Sequence, residues 1–330
     1  MKRVVITEFG DESKLKVVEG ELPGPASGEV QVAVEYSVVA GADVNMRRGT
    51  YPFQKKAPLT PGYSVLGKVL LNGRGSARFQ VGDTVACLSK YDGQAERINL
   101  PERFLVPVPD RLDPKATVAL VLDWVTAYEM LYRAAKVKAG QKIFVHGLSG
   151  AVGRALLSLG QLAGAQVFGT ASASKHAELR QLGAVPFVYS DHKWIESMQK
   201  AGGADAVFDP LGFESFDRSY AILRRGGILV GYGMNLPGLT GARPRSVVPV
   251  VLRLLAKNLL FWSGKRTTFF GVNRASKHYK ADLELLFKWL KEGRISVSIK
   301  ATFALEDIQQ AHREYSSSAA MGSIILQIAP

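Results

Sequence analysis

The sequence predicts an α/β protein in which a β-barrel-like domain precedes a doubly wound parallel sheet. Two patterns along the chain support this fold class. Up to about residue 120, short β-rich apolar runs alternate with Gly- and Pro-containing turns, with no long helical pattern. From Gln141 onward, apolar strands alternate with helices, which is typical of a parallel sheet covered on both faces.

The strands of the first domain are separated by turn signals. Gly and Pro punctuate the chain at Pro23-Gly24-Pro25, Pro61-Gly62 and Gly82-Asp83. The predicted strands are Val4–Thr7, Val30–Val39, Ser64–Leu70 and Thr84–Leu88.

The second domain follows a helical stretch at Ala116–Ala135. Its predicted strands are Lys142–Val145, Gln166–Gly169, Pro186–Tyr189, Ala204–Asp209 and Gly227–Gly231, with helices beginning at Ala151, Ser174, Lys193 and Phe213. Helices at Leu283–Lys291 and Leu305–Tyr315 precede a last strand, Ser323–Ile328, which we expect to rejoin the first domain. The predicted domains are therefore 1–122 and 123–265, with a return segment at 266–330.

Composition restricts the classes of partner. The 330 residues include 42 Lys+Arg and 29 Asp+Glu, a net charge of +13, and the single cysteine, Cys87, excludes an internal disulfide. The basic residues are scattered, without a zinc-finger spacing or an aromatic-interleaved basic run, so we expect no nucleic acid partner. The excess charge leaves anionic substrates, anionic cofactors and membrane surfaces open.

Targeting signals are not evident in the sequence. The N-terminus lacks the apolar core of a secretory signal, and the longest apolar tract, Val247–Leu260, is interrupted by Pro249, Arg253 and Lys257. We therefore expect a cytoplasmic protein.

The most specific motif is a glycine-rich turn between a strand and a helix, Gly147-Leu148-Ser149-Gly150-Ala151-Val152-Gly153. Such a turn presents backbone N–H groups and a helix N-terminus to a phosphate. Gly150 would let the backbone approach a pyrophosphate, and Gly153 would let the helix pack on the sheet. Because the turn opens a series of strand–helix units, it predicts dinucleotide binding.

The end of the next strand indicates which dinucleotide. NAD sites place an acidic residue there to bind the ribose 2′-hydroxyl. This chain has Gly169-Thr170-Ala171-Ser172-Ala173-Ser174-Lys175-His176, with no carboxylate before Glu178. Hydroxyls and a lysine suit an additional 2′-phosphate, so the sequence favours NADPH; the alternative is a helix cap with a solvated lysine.

Taken together, these motifs resemble those of the zinc-free medium-chain dehydrogenase/reductases. The glycine turn, Gly169–His176, Asp209-Pro210-Leu211-Gly212 and Gly231-Tyr232-Gly233-Met234 carry the resemblance, with Asp43…Arg47-x-Gly49-x-Tyr51, Thr60-Pro61-Gly62 and Thr126-Ala127-Tyr128. The chain is most similar to the quinone oxidoreductase-like branch, near the vesicle amine transport protein group. The resemblance implies a GroES-like domain, a Rossmann domain and a homodimer.

The resemblance also implies the cofactor contacts. Ser172, Lys175 and Tyr189 would surround the 2′-phosphate. The pyrophosphate would lie on Gly147, Ser149, Gly150, Ala151 and Val152, and the nicotinamide half along Thr126, Gly231, Tyr232, Phe270 and Val272. The zinc-dependent relatives carry an early Cys ligand and a Gly-His-Glu segment; here Pro61-Gly62-Tyr63-Ser64 stands at the latter place and Cys87 is alone, so we expect no metal.

Three positions depart from the pattern of the quinone reductases. Ala40 stands where an Asn is usual, Ser64 replaces the acidic residue after Pro-Gly-x, and Ser323 replaces the Lys of a Gly-Lys pair. The missing Asn calls the usual substrate orientation into question.

No metal, paired-carboxylate or Ser-His-Asp constellation is apparent in the sequence. Tyr51 is the candidate hydroxyl to polarise a carbonyl, because the resemblance places it on a loop facing the cofactor; the alternative is an aromatic packing residue. Asp43 is the second catalytic candidate, with a structural hydrogen-bonding role as its alternative. Three histidines, His176, His278 and His312, lie in polar helical stretches and are predicted to be exposed.

The segment Val247–Trp262 allows two interpretations. With Arg243, Arg245, Lys265 and Arg266 beside it, it could be a basic amphipathic helix on an anionic membrane. We favour a helix lining an apolar substrate cleft, followed by a Leu259–Trp262 strand at a dimer interface.

The sequence therefore predicts an NADPH-dependent, zinc-independent reductase. Its substrate would be an apolar small molecule that is either an α,β-unsaturated carbonyl or a quinone. The alternative is an NADPH-binding protein without enzymatic activity that acts in lipid or membrane association.

Overall fold

The computed structural model describes residues 1–240, 246–315, 317 and 320–328. Arg243 and Arg245, predicted to flank a basic helix, lie outside the described residues. The chain divides into two compact units, the first formed by Met1–Val125 and Asn273–Pro330, and the second by Thr126–Val272.

The strands and helices are numbered in chain order. The strands are β1 (Lys2–Ile6), β2 (Leu15–Glu19), β3 (Glu29–Val39), β4 (Ser64–Asn72), β5 (Thr84–Leu88), β6 (Arg97–Pro101), β7 (Val106–Pro107), β8 (Lys142–His146), β9 (Gln166–Ala171), β10 (Val185–Val188), β11 (Ala204–Asp209), β12 (Leu223–Gly231), β13 (Arg266–Phe269), β14 (Ile299–Ala304) and β15 (Ser323–Gln327). The α-helices are α1 (Gly41–Arg47), α2 (Pro114–Ala119), α3 (Val125–Tyr128), α4 (Ala151–Leu162), α5 (His176–Gln181), α6 (Lys193–Lys200), α7 (Glu214–Ala221), α8 (Leu236–Thr240), α9 (Val248–Ala256), α10 (Tyr279–Lys291) and α11 (Ile308–Tyr315).

The first unit is built on a largely antiparallel sheet. Its strand order is β14-β15-β3-β4-β5-β7, β6 pairs with β3, and β1 and β2 form a separate hairpin. The last strand, β15, pairs with β3, so the C-terminal segment completes the sheet that the N-terminal segment begins. Its core consists of alternate apolar residues of β3, β4, β5 and β6, among them Val32, Val65 and Ile98.

The second unit is a six-stranded parallel sheet in the order β10-β9-β8-β11-β12-β13. Counted within the unit, this order is 3-2-1-4-5-6, the doubly wound arrangement that binds dinucleotides where the strand order reverses. That point lies between β8 and β11. The strands bury apolar side chains such as Phe144, Val207 and Leu229 against the helices, as the sequence pattern predicts.

The predicted Leu259–Trp262 strand is wrong. Short 3-10 turns occupy Lys257–Leu259 and Phe261–Ser263, and the edge strand of the sheet forms later, at Arg266–Phe269. Asn258 explains the shift, because its side chain accepts from Thr267 N at 2.7 Å and donates to Thr267 O at 2.9 Å. The amide thus binds the outer edge of β13 and leaves Leu259, Phe261 and Trp262 exposed.

Within the described ranges, no helix has both the length and the apolar character needed to cross a bilayer.

Candidate active site

Twelve of the thirteen predicted cofactor-binding residues lie at one edge of the second unit's sheet. Parallel strands present their carboxyl ends at the same edge, and the segments that leave β8, β9, β10, β12 and β13 contain these residues. The exception is Thr126, which lies on the helical segment before the sheet. The topology therefore brings residues from distant parts of the sequence to a common edge.

The turn between β8 and α4 has the geometry of an anion site. Gly147 takes φ +74°, which favours glycine, and Gly150 N donates to Gly147 O at 3.0 Å. Gly150 is the N-cap residue of α4 and provides no side chain to bind the first N–H groups of the helix. Those N–H groups and the helix dipole therefore favour a phosphate at this end of α4.

Gly153 explains how closely the helix approaches the turn. A Cβ at this position would lie 2.1 Å from Gly147 O, a distance that no side chain tolerates. A Cβ at Gly150 would lie 3.4 Å from the same oxygen, which is an ordinary contact. Gly153 is thus required by packing, whereas the absence of a side chain at Gly150 keeps the surface of the turn open.

The end of β9 has no carboxylate and a buried lysine. Lys175 closes a 3-10 turn, Ala173–Lys175, and is only 8 % exposed, so the alternative of a solvated lysine is wrong. Ser172 precedes the turn without capping it through its side chain, while Tyr189, after β10, is exposed. This combination of hydroxyls and a cation fits a phosphate better than a ribose hydroxyl.

The residues predicted along the nicotinamide half lie on three segments. Thr126 is buried, and its Oγ1 atom has no hydrogen-bond partner within the described residues, which is the state expected of a group that binds a ligand. At the sheet edge, Tyr232 N donates to Asp209 O at 3.0 Å and Phe270 N to Gly231 O at 2.7 Å. Val272 follows on the same segment and is half-buried.

A polar network that the sequence did not reveal supports the glycine turn. His146 Nε2 lies 3.0 Å from Ser219 Oγ, and Nδ1 lies 3.2 Å from Thr170 Oγ1, which also accepts from Gly147 N at 3.3 Å. Ser219 Oγ in turn donates to Asp209 Oδ2 at 2.6 Å. Burial lowers the pKa of His146, so the imidazole is neutral and satisfied, as expected of a histidine at a strand end.

Asp209 holds the other side of the switch point. Its Oδ1 accepts from Leu211 N at 2.7 Å, and its Oδ2 accepts from Ser215 Oγ at 2.7 Å. The carboxylate thereby fixes the turn after β11 and the start of α7, beside the strand that carries the glycine turn. The motif Asp209–Gly212 pointed to this segment, but it does not include the serine partners, which lie on α7, six and ten residues after Asp209.

In the first unit, Tyr51 pairs with a second tyrosine. The hydroxyls of Tyr51 and Tyr63 are hydrogen-bonded, and their ring centroids lie 6.1 Å apart at an angle of 61°. Tyr51 is half-buried and Tyr63 is buried. Lys90 Nζ lies 5.8 Å from the centroid of the Tyr51 ring. Tyr63 was not among the predicted site residues, although it follows the Pro61-Gly62 motif directly.

Asp43 is fully buried beneath this loop region. Its Oδ2 accepts from Ala40 N and its Oδ1 from Gly62 N, each at 2.9 Å, which ties the start of α1 to the Pro61-Gly62 turn. Burial raises the pKa of Asp43 to about 7. This geometry favours the structural alternative for Asp43 over proton transfer.

Two of the three histidines predicted to be exposed are buried instead. His312 is 1 % exposed because it lies four residues after Ile308, on the face of α11 that packs into the first unit. His176 is 8 % exposed, and its Nε2 lies 3.4 Å from Ala171 O. Polar neighbours in the sequence were therefore a poor guide to the exposure of these two histidines. Within the described ranges, no cluster of three or more His, Cys, Asp or Glu side chains is arranged as a metal site.

Two family models match the chain, the alcohol dehydrogenase GroES-like domain at residues 26–110 and the zinc-binding dehydrogenase at residues 182–326. The synaptic vesicle membrane protein VAT-1 homolog of Rattus norvegicus is 28 % identical over 100 % of this chain and 85 % of its own length. The quinone oxidoreductase of the same organism is 28 % identical over 99 % of this chain and 97 % of its own.

Solved structures agree over the whole chain. A mycobacterial protein complexed with NADPH has a TM-score of 0.85 at 25 % identity, covering 99 % of this chain and 100 % of its own. A quinone oxidoreductase of Pseudomonas syringae has a TM-score of 0.84 at 25 % identity, covering 99 % of each chain. Motifs, sheet order and relatives thus converge, and the chain belongs to the medium-chain dehydrogenase/reductases, in their quinone oxidoreductase-like branch.

Proposed function

We propose that this chain is an NADPH-dependent, zinc-independent reductase that transfers hydride to an apolar α,β-unsaturated carbonyl or a quinone. The observation that carries the proposal is the second unit's anion site, in which an uncapped helix N-terminus and the acid-free end of β9 lie on one sheet edge. Relatives that are named quinone oxidoreductases, and a mycobacterial homologue solved with NADPH, support it.

The described residues fit NADPH at each part of the cofactor. The α4 N-terminus and the turn Gly147–Val152 would hold the pyrophosphate, and Lys175 with Ser172 the 2′-phosphate. Thr126 Oγ1, buried without a partner within the described residues, would bind the nicotinamide half. When bound, the cofactor supplies a hydride; the chain supplies position and charge stabilisation.

Within this class we place the enone before the quinone. Ala40 stands where the quinone reductases usually have an Asn, and it is buried at the N-cap of α1 with no side-chain donor. Tyr51 is then the hydroxyl that would polarise the substrate carbonyl as negative charge develops on its oxygen.

A turnover assay tests the proposal. Purified protein should oxidise NADPH, followed at 340 nm, with at least one member of a panel of apolar enones and quinones. A matched panel of saturated ketones controls for simple carbonyl reduction. Tight NADPH binding without turnover of any acceptor would contradict the reductase and favour the non-enzymatic alternative.

Exposed apolar side chains on α9 and in the segment after it are relevant to two alternatives, a dimer interface and a membrane contact. Leu252, Leu259, Phe261 and Trp262 are each between 62 % and 81 % exposed, and the rings of Phe261 and Trp262 are in contact; these four side chains are called the apolar patch below. We propose that a second copy of the chain covers this patch.

The cations beside the patch are the reason for preferring a second copy to a lipid surface. Arg253 and Lys257 both pair with Asp217, at 2.9 and 2.7 Å, and Lys265 Nζ donates to Tyr220 O at 3.0 Å. Asp217 thus compensates part of the charge of Arg253 and Lys257, and the Tyr220 carbonyl holds Lys265 in place, which weakens attraction to anionic lipids. Salt-sensitive flotation of the protein with anionic liposomes would contradict this choice. A cytoplasmic location stays a prediction.

A further inference from the structure

We propose that Tyr63 is a positioning residue that holds the Tyr51 hydroxyl as the proton donor to the reduced substrate. This inference deepens the reductase function proposed above and rests on it. It assigns a role to a tyrosine that directly follows the Pro61-Gly62 turn and that no catalytic motif includes.

The two tyrosines differ in how firmly the fold holds them. Tyr63 is 7 % exposed, and its carbonyl accepts from Ser89 N at 2.8 Å. The preceding residue, Gly62, donates its N–H to buried Asp43, so the backbone around Tyr63 is tied at two points. Tyr51 lies on an irregular loop, where its own backbone N–H donates to Gln54 Oε1 at 3.1 Å. The hydroxyl bond therefore anchors a loop tyrosine to a buried, fixed one.

Either hydroxyl could donate in this bond, and our proposal assigns Tyr63 as the donor. Burial raises the pKa of both hydroxyls; the bond between them raises the pKa of Tyr63 further and lowers that of Tyr51. In the assigned polarity, Tyr63 keeps its proton and donates to Tyr51 Oη, and its deeper burial is consistent with this. In that polarity Tyr51 uses an oxygen lone pair for the bond to Tyr63, so its hydrogen is available for a second partner.

A phenolate at Tyr51 would be stabilised by two groups. Tyr63 donates to its oxygen, and the Lys90 ammonium lies 5.8 Å from its ring centroid. Lys90 also lies 5.6 Å from the Tyr91 ring centroid, so two aromatic faces hold its charge at this loop. A tyrosine poised in this way can transfer its proton and carry the resulting charge.

The proposed reaction adds one hydride and one proton to the substrate. Hydride adds to the electron-poor carbon of the unsaturated carbonyl, and an electron pair moves to the carbonyl oxygen. The O–H bond of Tyr51 breaks and its proton goes to that oxygen, leaving Tyr51 as a phenolate that accepts from Tyr63. The enol product then tautomerises to the saturated carbonyl, and a proton from solvent restores Tyr51, so that each turnover consumes one hydride from NADPH and one solvent proton.

A double-mutant cycle tests the proposal with NADPH and an enone that the wild type reduces. Tyr63→Phe should lower kcat by roughly 10- to 100-fold, since it removes a hydrogen bond to a charged group, with KM and NADPH affinity within about twofold. In the Tyr51→Phe background, the same substitution should change kcat by less than about twofold, because Tyr63 acts through Tyr51. Tyr36→Phe, which removes another hydroxyl of the first unit, serves as the matched control.

The possible outcomes separate the inference from the function on which it rests. Independent, multiplicative losses in the double mutant, or an unchanged kcat in Tyr63→Phe, overturn the role of Tyr63 while the reductase stands. Absence of wild-type turnover overturns both. If Tyr63→Phe does not fold, Tyr63→Met removes the donor with a flexible apolar side chain, and the same cycle applies.

Discussion

Alanine substitutions at Gly150, the N-cap of α4, and at Gly153, in the first turn of α4, should have separable effects on folding and on cofactor binding. Gly153 faces Gly147 O, and an added Cβ would lie 2.1 Å from that oxygen. Gly150 has φ −75° and ψ 170°, angles that alanine adopts freely, and an added Cβ would lie 3.4 Å from its nearest neighbour. Alanine at the two positions therefore tests different properties of the same turn.

For Gly153→Ala, the backbone of the turn or of α4 has to move by more than about 1 Å to restore a normal contact. Overpacking of this kind costs about 1–3 kcal/mol, so the free energy of unfolding should fall by that amount without cofactor. For Gly150→Ala, the loss of backbone freedom in the unfolded chain should leave the free energy of unfolding unchanged or raise it by up to about 1 kcal/mol.

The effect of Gly150→Ala should appear when NADPH binds. Its methyl group would occupy the exposed surface of the turn where the pyrophosphate would lie, so we expect the Kd to rise at least tenfold, a loss of about 1.4 kcal/mol. Urea unfolding without cofactor and NADPH titration by fluorescence measure the two quantities. Gly140→Ala would not be a suitable control, because Gly140 has φ +79°. Gly24→Ala, where no atom lies within 4 Å of the added Cβ, is suitable.

Wild-type NADPH affinity in Gly150→Ala would contradict the predicted contact between the turn and the pyrophosphate. Wild-type stability in Gly153→Ala would contradict the close approach of α4 to Gly147.

Three further predictions follow from the charged and apolar groups. Lys175→Ala should weaken NADPH roughly 10- to 100-fold more than NADH, measured by titration with exposed Lys193→Ala as control; equal losses would contradict the 2′-phosphate assignment. Replacing Phe261 and Trp262 together by Ser should shift sedimentation from dimer to monomer, whereas the same change at the exposed Phe53 of the first unit should not; a wild-type monomer would remove the proposed dimer. Because burial raises the pKa of Asp43 to about 7, folding favours its protonated form, and that stabilisation is lost as pH rises from about 4 to 7, by up to about 1.4 kcal/mol per unit. Asp43→Asn should flatten this slope in urea unfolding at pH 5 and pH 7, and an unchanged slope would contradict it.

The sequence predicted the second unit well because its signals are local. The strands around the glycine turn are apolar throughout, and the absence of an acid before Glu178 is readable without any contact. The polar network between His146 and Asp209 could not be predicted in the same way, because Ser219 and Thr170 reach it from other elements. Sequence patterns indicate elements and turns, whereas pairing of side chains depends on the sheet order.

Two predictions were wrong for different reasons. Leu259–Trp262 has the composition of a strand, yet Asn258 binds the edge of β13 and moves the strand beyond it. His312 has polar neighbours, yet the spacing to Ile308 places it on the buried face of α11. In the first case a tertiary contact decides against the local preference, and in the second the helical spacing outweighs the polar neighbours.

Each of the three departures from the quinone reductase pattern puts a small side chain in the first unit where a larger polar or charged one is usual. Ala40 offers only its backbone N–H to Asp43, and Ser323, where a Lys is usual, donates to buried Asp123 at 2.7 Å. Without a cationic partner there, burial raises the pKa of Asp123 to about 6, as it raises that of Asp43.

Ser64, in place of an acid, is fully buried, and its Oγ atom has no partner within the described part of the chain. The first unit has therefore exchanged an amide, an acid and a lysine for small side chains. In the reaction that we propose, the hydroxyl pair of Tyr51 and Tyr63, with Lys90 beside it, would donate the proton and stabilise negative charge. An apolar substrate whose carbonyl oxygen takes a single hydrogen bond suits such a site better than a polar one whose several groups would need partners.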